Sequence, residues 1–101
     1  MVKTILITGA TDGIGKHLAK KLASQGHHVI LHGRNPQKLE LALQEVRAVS
    51  LRGRVSSYLA DFSKLDDVYR FVEEIKRDFQ SIDVLFNNVG LYAGKERKAS
   101  A

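Results

Sequence analysis

Short apolar runs alternate along the chain with stretches in which apolar residues recur every three or four positions. The apolar runs are rich in β-branched residues and predict buried strands at residues 3–8, 28–31, 54–60 and 82–86. The amphipathic stretches predict helices from residue 13 to about 25, from 36 to about 50, and from about 63 to 79. Strands and helices that alternate in this way are typical of a parallel sheet with right-handed crossovers. We therefore predict an α/β fold with a doubly wound sheet.

Local signals mark the ends of the predicted helices. Gly26 ends the first helix, whose regularly spaced apolar residues are Ile14, Leu18 and Leu22. Asn35 followed by Pro36 predicts an N-cap and a proline at the first position of the second helix. Ser63 and Asp66 resemble a capping box at the start of the third helix. That helix has the clearest apolar stripe, formed by Val68, Phe71, Val72, Ile75 and Phe79.

Composition narrows the class of protein. The 101 residues are 44% hydrophobic and 27% charged, which is typical of one small globular domain. The absence of cysteine excludes disulfide bonds and cysteine-ligated metal sites. No apolar run approaches the length of a membrane span, and the first residues lack the layout of a secretory signal. We expect a cytoplasmic location by default.

The net charge of +5 is compatible with a nucleic-acid partner, an anionic cofactor or a solvated surface. Basic residues are scattered and mostly interleaved with acidic ones, and no basic stripe is rich in aromatic residues. This pattern favours a solvated surface and argues against nucleic-acid binding. The four histidines do not have the spacing of a metal site, so surface or packing roles are expected for them.

A glycine-rich turn, TGATDGIG at residues 8–15, lies between the first strand and the first helix. Gly9 permits a sharp turn, Gly13 lets the backbone approach a phosphate, and Gly15 lets the helix pack closely. The amides at the helix start would then face a diphosphate. The spacing G-x-x-x-G-x-G differs from the commoner G-x-G-x-x-G and lacks the Lys-Ser/Thr pair of a P-loop.

This turn is the first of three motifs that resemble the short-chain dehydrogenase/reductase family. The others are residues 60–63 (ADFS), after the third strand, and residues 87–90 (NNVG), after the fourth. The resemblance covers residues 2 to about 98 and is strongest to the retinol-dehydrogenase-like branch. It implies a Rossmann-type parallel sheet of four strands in the order 3-2-1-4 with three crossover helices. Residues 1–90 would form an NADP-binding half-domain, and residues 91–101 a truncated loop or tail.

The resemblance also implies which residues hold the cofactor. The glycine turn would bind the pyrophosphate, Asp61 would bond the adenine amino group, and Phe62 would lie beside the adenine ring. The stretch after the fourth strand would follow the adenosine, with Asn87 bracing the sheet. The residues expected to bind the cofactor are Gly9, Thr11, Asp12, Gly13, Ile14, Gly15, Arg34, Asn35, Asp61, Phe62, Asn88, Val89 and Gly90.

Arg34 indicates the type of cofactor. NAD-specific proteins place an acidic residue at the end of the second strand, where it bonds the ribose 2′-hydroxyl. Residues 31–34 (LHGR) contain no acid and one guanidinium, which suits a 2′-phosphate, and Lys38 would add charge. We therefore predict NADP.

No catalytic residue is predicted. The family uses a serine and a Tyr-x-x-x-Lys pair, but Tyr58, Tyr69 and Tyr92 are followed four positions later by Phe62, Glu73 and Glu96. We expect the chain alone to be inactive and to be the cofactor-binding part of a longer enzyme. That enzyme would move hydride between NADP(H) and a carbonyl or alcohol.

The alternative is a nucleotide-binding module without catalysis, either standing alone or completed by another chain. The fourth strand would then be an uncovered apolar edge, which predicts self-association into a homo-oligomer.

Overall fold

Four parallel strands and three helices make up the part of the chain described by the computed structural model, residues 1–88. In chain order they are β1 (Thr4–Thr8), α1 (Gly13–Ser24), β2 (His28–Gly33), α2 (Pro36–Val49), β3 (Val55–Leu59), α3 (Leu65–Asp78) and β4 (Val84–Asn87). The strand order is β3-β2-β1-β4, and every pairing is parallel. The predicted Rossmann-type α/β fold and its strand order are confirmed.

The two central strands are buried on both faces of the sheet. Ile7 of β1 and Leu31 of β2 pair in register and face the layer formed by α1 and α2. Leu6 and Ile30, the preceding pair, face α3. Side chains alternate between the faces of a strand, so a strand covered by helices on both sides needs an unbroken apolar sequence. This requirement explains the apolar runs in β1 and β2.

Small residues form the buried side of α1. Gly15, Ala19 and Ala23 are buried at four-residue intervals, whereas Ile14 is 71% exposed. The regularly spaced Leu18 and Leu22 are only partly buried against the core. The apolar periodicity therefore identified the helix, but its buried centre lies one position further along. Small side chains at these positions let the helix backbone lie close to its neighbours.

The start of α3 differs from the predicted capping box. Lys64 is the N-cap residue, and the Ser63 hydroxyl instead donates to Asp61 Oδ1 at 2.7 Å. The acidic residue that reaches back is Asp67, not Asp66, because Asp67 Oδ2 accepts a hydrogen bond from the Asp61 amide at 2.8 Å. The capping box was thus wrong. In a capping box the side chain that reaches back comes from the third helical position. With Lys64 as the N-cap, that position is Asp67.

The fourth strand forms one wall of an apolar groove. This groove has a volume of about 500 Å³ and lies between β4 and α3, with Leu6, Val72 and Leu85 among its lining residues. Leu85 is 61% exposed and Val84 is 42% exposed. Over residues 1–88, β4 therefore presents the apolar edge that its sequence predicted.

Two further properties concern the same 88 residues. None of their helices is long and apolar enough to cross a lipid bilayer. They also contain no group of three or more histidine, aspartate or glutamate residues arranged to hold a metal ion.

Candidate functional site

The carboxyl ends of the strands meet along one edge of the sheet, and they surround a cleft of about 800 Å³. Ligands of open α/β sheets bind at this edge. The cleft brings together nine of the residues predicted from the sequence: Gly9, Thr11, Asp12, Gly13, Ile14, Arg34, Asp61, Phe62 and Asn88. It also contains four residues that were not predicted to bind the cofactor: His32, Gly33, Ala60 and Ser63.

The glycines of the turn at 8–15 have different surroundings. Gly9 and Gly13 adopt φ angles of 60° and 56°, in the left-handed region that favours glycine. A Cβ added at Gly13 would meet no atom of residues 1–88 within 4 Å. A Cβ added at Gly15 would lie 2.6 Å from the Gly9 carbonyl oxygen and 2.8 Å from Asn88 Nδ2. Gly13 is thus open to a ligand, whereas Gly15 is required for packing.

The N-terminus of α1 opens into this cleft. Asp12 is the N-cap residue, but within residues 1–88 its side chain does not cap the helix. Its carboxylate instead pairs with the Lys38 ammonium of α2 at 3.2 Å. The Asp12 side chain therefore does not cap the first amides of α1. These amides and the positive end of the helix dipole would stabilise an anion bound in the cleft.

Arg34, which was predicted to determine the type of cofactor, directly follows β2. Arg34 is exposed and follows Gly33, at which a Cβ would lie 2.5 Å from Thr11 Cγ2. Gly33 therefore allows the glycine turn to lie against β2. Asn35 acts as the N-cap of α2, because its Oδ1 accepts from the Lys38 amide at 3.0 Å, with Pro36 opening the helix. The predicted N-cap is confirmed, and Asn35 does not line the cleft of the described chain.

The Asp61 carboxylate, just after the end of β3, is held in place by hydrogen bonds. Its Oδ1 accepts hydrogen bonds from the Ser63 hydroxyl at 2.7 Å and from the Ser63 amide at 3.0 Å. These two bonds lower the pKa of Asp61, and the positive charges of Lys64 and Arg34 act in the same direction. The group is therefore an ionised hydrogen-bond acceptor at neutral pH.

His32 lies in the cleft wall and is only 3% exposed. Its Nδ1 accepts from the Gly9 amide at 3.0 Å, and its Nε2 lies 2.9 Å from the Ala60 carbonyl oxygen. Phe62 stacks on the imidazole, with a centroid distance of 4.0 Å and an interplanar angle of 4°. Sequence reasoning assigned this histidine no more than a surface or packing role. Its place at the end of an apolar strand, just before Gly33, was the available signal.

The ends of β1 and β4 are joined by polar side chains. The Asn88 side-chain amide donates to the Gly9 carbonyl oxygen at 3.0 Å, and the Asn88 backbone amide donates to Thr8 Oγ1 at 3.0 Å. The Thr8 hydroxyl donates to Asn87 Oδ1 at 2.9 Å, the contact that a bracing role for Asn87 requires. The other two predicted residues of this motif, at positions 89 and 90, lie outside the described residues.

Comparison with known proteins identifies relatives along nearly the whole chain. The sequence model of the family described as short chain dehydrogenase matches residues 3–101. Retinol dehydrogenase 13 of the mouse is 35% identical over 89 residues, which are 88% of this chain and 27% of that protein. A short-chain type dehydrogenase/reductase from Mycobacterium ulcerans has a TM-score of 0.78 at 32% identity, covering 93% of this chain and 34% of its own.

An NAD⁺-bound xylitol dehydrogenase has a TM-score of 0.77 at 38% identity, and the match covers 88% of this chain and 34% of that one. The chain thus spans about a third, or less, of the length of these proteins. The family model covers almost every residue, and the fold is similar to that of a solved short-chain type dehydrogenase/reductase. The chain belongs to the short-chain dehydrogenase/reductase family.

Proposed function

We propose that this chain is the cofactor-binding part of an NADP-dependent oxidoreductase that moves hydride between NADP(H) and a carbonyl or alcohol substrate. The observation that carries the proposal is the cleft at the carboxyl edge of the sheet, where a Cβ at Gly13 would enter open space at the start of α1. The three proteins compared above are named as dehydrogenases, which favours an oxidoreductase over a non-catalytic nucleotide-binding module.

The residues of the cleft fit a dinucleotide. Its volume of about 800 Å³ is within the usual range for ligand sites. The backbone from Gly13 to Gly15 would hold the pyrophosphate at the N-terminus of α1, since a Cβ at Gly13 would enter open space. Asp61, whose carboxylate is ionised, would accept a hydrogen bond from the adenine amino group.

Arg34 supports NADP rather than NAD as the cofactor. Its guanidinium is exposed at the end of β2 and lines the cleft, where it can bind a 2′-phosphate through two parallel hydrogen bonds. No acidic residue stands at positions 31–34 to accept from a ribose hydroxyl. The xylitol dehydrogenase with the same fold was solved with NAD⁺, so the fold alone does not select NADP. The proposed preference for NADP over NAD therefore rests on the positive charge of Arg34.

The nicotinamide of the bound cofactor would supply the hydride chemistry. The residues of this chain would bind and orient the adenosine and pyrophosphate, and none of residues 1–88 is assigned to proton transfer. The substrate would be a small molecule bearing a carbonyl or alcohol group, as the names of the matched dehydrogenases suggest.

The test is a titration of the full chain with NADPH and, separately, with NADH, in which the fluorescence of the nicotinamide reports binding. Gly13→Ala and Gly53→Ala form a matched pair, because both glycines have positive φ angles, 56° and 70°, and open space at the Cβ position. Both variants should suffer the same backbone strain, about 1 kcal/mol. Only Gly13 lines the cleft.

We expect the wild type to bind NADPH more tightly than NADH. Gly13→Ala should weaken NADPH binding by about tenfold or more, because one badly placed carbon costs 1–3 kcal/mol at a closely packed contact. Gly53→Ala should bind like the wild type. Equal NADPH affinities for the two variants would contradict the proposed site.

A further inference from the structure

One buried side chain of β2 bonds to the ends of both neighbouring strands. His32 Nδ1 lies 3.0 Å from the amide of Gly9, the first residue after β1, and His32 Nε2 lies 2.9 Å from the carbonyl oxygen of Ala60, the first residue after β3. Gly9 begins the phosphate-binding turn, and Ala60 directly precedes Asp61. The imidazole therefore connects the two loops that the proposed function assigns to the pyrophosphate and the adenine.

The two hydrogen bonds determine which ring nitrogen carries the proton. The Gly9 N–H can only donate, so His32 Nδ1 must be unprotonated and accept. The Ala60 carbonyl can only accept, so His32 Nε2 must carry the proton and donate. Burial also lowers the pKa of His32, although the bond to Ala60 acts in the opposite direction. The ring is therefore neutral and held as its Nε2–H tautomer.

Aromatic contacts hold the ring in its plane. Phe62 stacks on His32 almost in parallel at 4.0 Å, and Phe71 meets it edge-on at 5.3 Å with an interplanar angle of 69°. Side chains from the β3–α3 connection and from α3 thus both pack against the imidazole. A ring that cannot rotate fixes the positions of the two backbone atoms bonded to it.

Both backbone polar groups of Gly9 are hydrogen-bonded to side chains. Its N–H donates to His32, and its carbonyl oxygen accepts from the Asn88 side-chain amide at 3.0 Å. The next amide, that of Ala10, donates to the His32 carbonyl oxygen at 2.8 Å and so returns to the strand ladder. Gly9 is the residue at which the chain leaves β1 with a φ of 60°. The His32 ring satisfies its amide at the point where the turn begins.

We propose that His32 is a positioning residue for the cofactor site, which sets the glycine turn relative to the Asp61 loop by bonding Gly9 and Ala60 through one rigid imidazole. The proposal rests on the proposed function, because it concerns how the same cleft binds its dinucleotide. It adds a residue that sequence reasoning did not assign to the site.

His28 provides a matched control within the same strand. It lies four residues before His32 on the same face of β2, bonds Ser56 Oγ at 3.1 Å, and meets Phe79 edge-on at 5.2 Å. Burial is also the main cause of its lowered pKa. His28 lies at the opposite end of the strand from the cleft and is half-buried, so its replacement removes a partly buried imidazole from the same face of β2 without altering the turn.

The experiment measures the dissociation constant of NADPH for the full chain and its His32→Leu, His32→Asn and His28→Leu variants. We expect His32→Leu to weaken binding about tenfold or more, the fold-change for one lost hydrogen bond of about 1.4 kcal/mol. His32→Asn keeps an acceptor for the Gly9 amide but loses the bond to Ala60, so it should bind NADPH more tightly than His32→Leu and more weakly than the wild type. His28→Leu should lower thermal stability while its NADPH affinity stays within about twofold of the wild type.

Several outcomes would overturn the positioning role. Equal NADPH affinities for His32→Leu and His28→Leu would do so, as would a failure of His32→Asn to bind more tightly than His32→Leu. If His32→Leu does not fold, wild-type affinity for His32→Asn, which has lost the Ala60 bond, would also overturn it. If the wild type itself binds neither NADPH nor NADH, the proposed function fails, and the role of His32 in cofactor binding fails with it.

A spectroscopic measurement tests the arrangement without any cofactor. The ¹⁵N spectrum of the wild-type full chain at neutral pH should show His32 as a neutral Nε2–H imidazole. Detection of the Nδ1–H tautomer or of an imidazolium would show that the bond from Gly9 is not made, and would overturn the proposal whatever the chain binds.

Discussion

The Lys38 ammonium lies 3.2 Å from the Asp12 carboxylate, so an ion pair joins α2 to the glycine turn at the mouth of the cleft. The two side chains are 57% and 68% exposed. A pair this exposed contributes only about 0–1 kcal/mol to folding. Its greater consequence concerns ligands, because the Asp12 carboxylate places negative charge where we propose that an anionic cofactor binds.

Asp12 lines the cleft as part of the glycine turn, but its carboxylate would repel an anion, so Asp12→Asn is expected to strengthen NADPH binding. Removal of the carboxylate frees Lys38 and reduces repulsion, which should raise the affinity by about threefold to tenfold at low ionic strength. The gain should diminish as salt is added. The measurement is the dissociation constant at two salt concentrations. Glu73→Gln is the control, because it breaks a similar exposed pair with Lys76 on α3, away from the cleft. An equal gain in the control would contradict the prediction.

Arg34→Asp should shift the cofactor preference from NADP toward NAD. The variant loses the cation for the 2′-phosphate and gains an acceptor for the ribose hydroxyl. Since a hydrogen bond to a charged group contributes about 1.5–3 kcal/mol, the ratio of the two dissociation constants should change by about 10–100-fold. Arg52→Asp makes the same charge change at an exposed position outside the cleft. An unchanged ratio in Arg34→Asp would refute the assignment of Arg34.

Gly15→Ala should destabilise the protein, although alanine usually stabilises a helix by about 1 kcal/mol relative to glycine. The new Cβ would lie 2.6 Å from the Gly9 carbonyl oxygen and 2.8 Å from Asn88 Nδ2, so the turn must move. Overpacking of this kind costs about 1–3 kcal/mol. The urea midpoint of the variant should be lower than that of the wild type, and its affinity for NADPH should be weaker. His17→Ala, on the exposed side of α1, should leave both unchanged. A stabilised Gly15→Ala variant would be inconsistent with close packing of α1 against the glycine turn.

The free energy of unfolding should decrease in acid because Asp78 becomes protonated. Its hydrogen bonds from Arg77 and Tyr58 lower the pKa of Asp78 to about 2 in the folded chain, against about 3.9 in the unfolded chain. Because the folded value is the lower one, the contribution to stability is present above about pH 4 and is lost as pH falls toward about 2. The check is the urea midpoint between pH 5 and pH 2.5. Asp78→Asn should show a flatter dependence, and parallel curves for wild type and variant would refute the role of this group.

Much of the fold and of the cleft was predictable from short stretches of sequence. The unbroken apolar runs of β1 and β2 indicated strands covered on both faces, and Asn35 with Pro36 marked the start of α2. The cleft was predictable because Gly9, Arg34, Asp61 and Asn88 each stand at the end of a strand. In a parallel sheet those ends meet at one edge, so the order of elements alone brings these residues together.

The rest depended on contacts between residues distant in the sequence. The buried face of α1 was decided by which residues fit against the sheet, and the start of α3 by the reach of Asp67 to the Asp61 amide. The position of His32 in an apolar strand indicated burial, but not that its ring bonds Gly9, 23 residues earlier, and Ala60, 28 residues later. Local patterns therefore determined the elements and their order, since strand and helix signals act over a few residues. Only the tertiary structure decided which polar atoms meet, because hydrogen bonds between strands depend on the register and packing of the whole sheet.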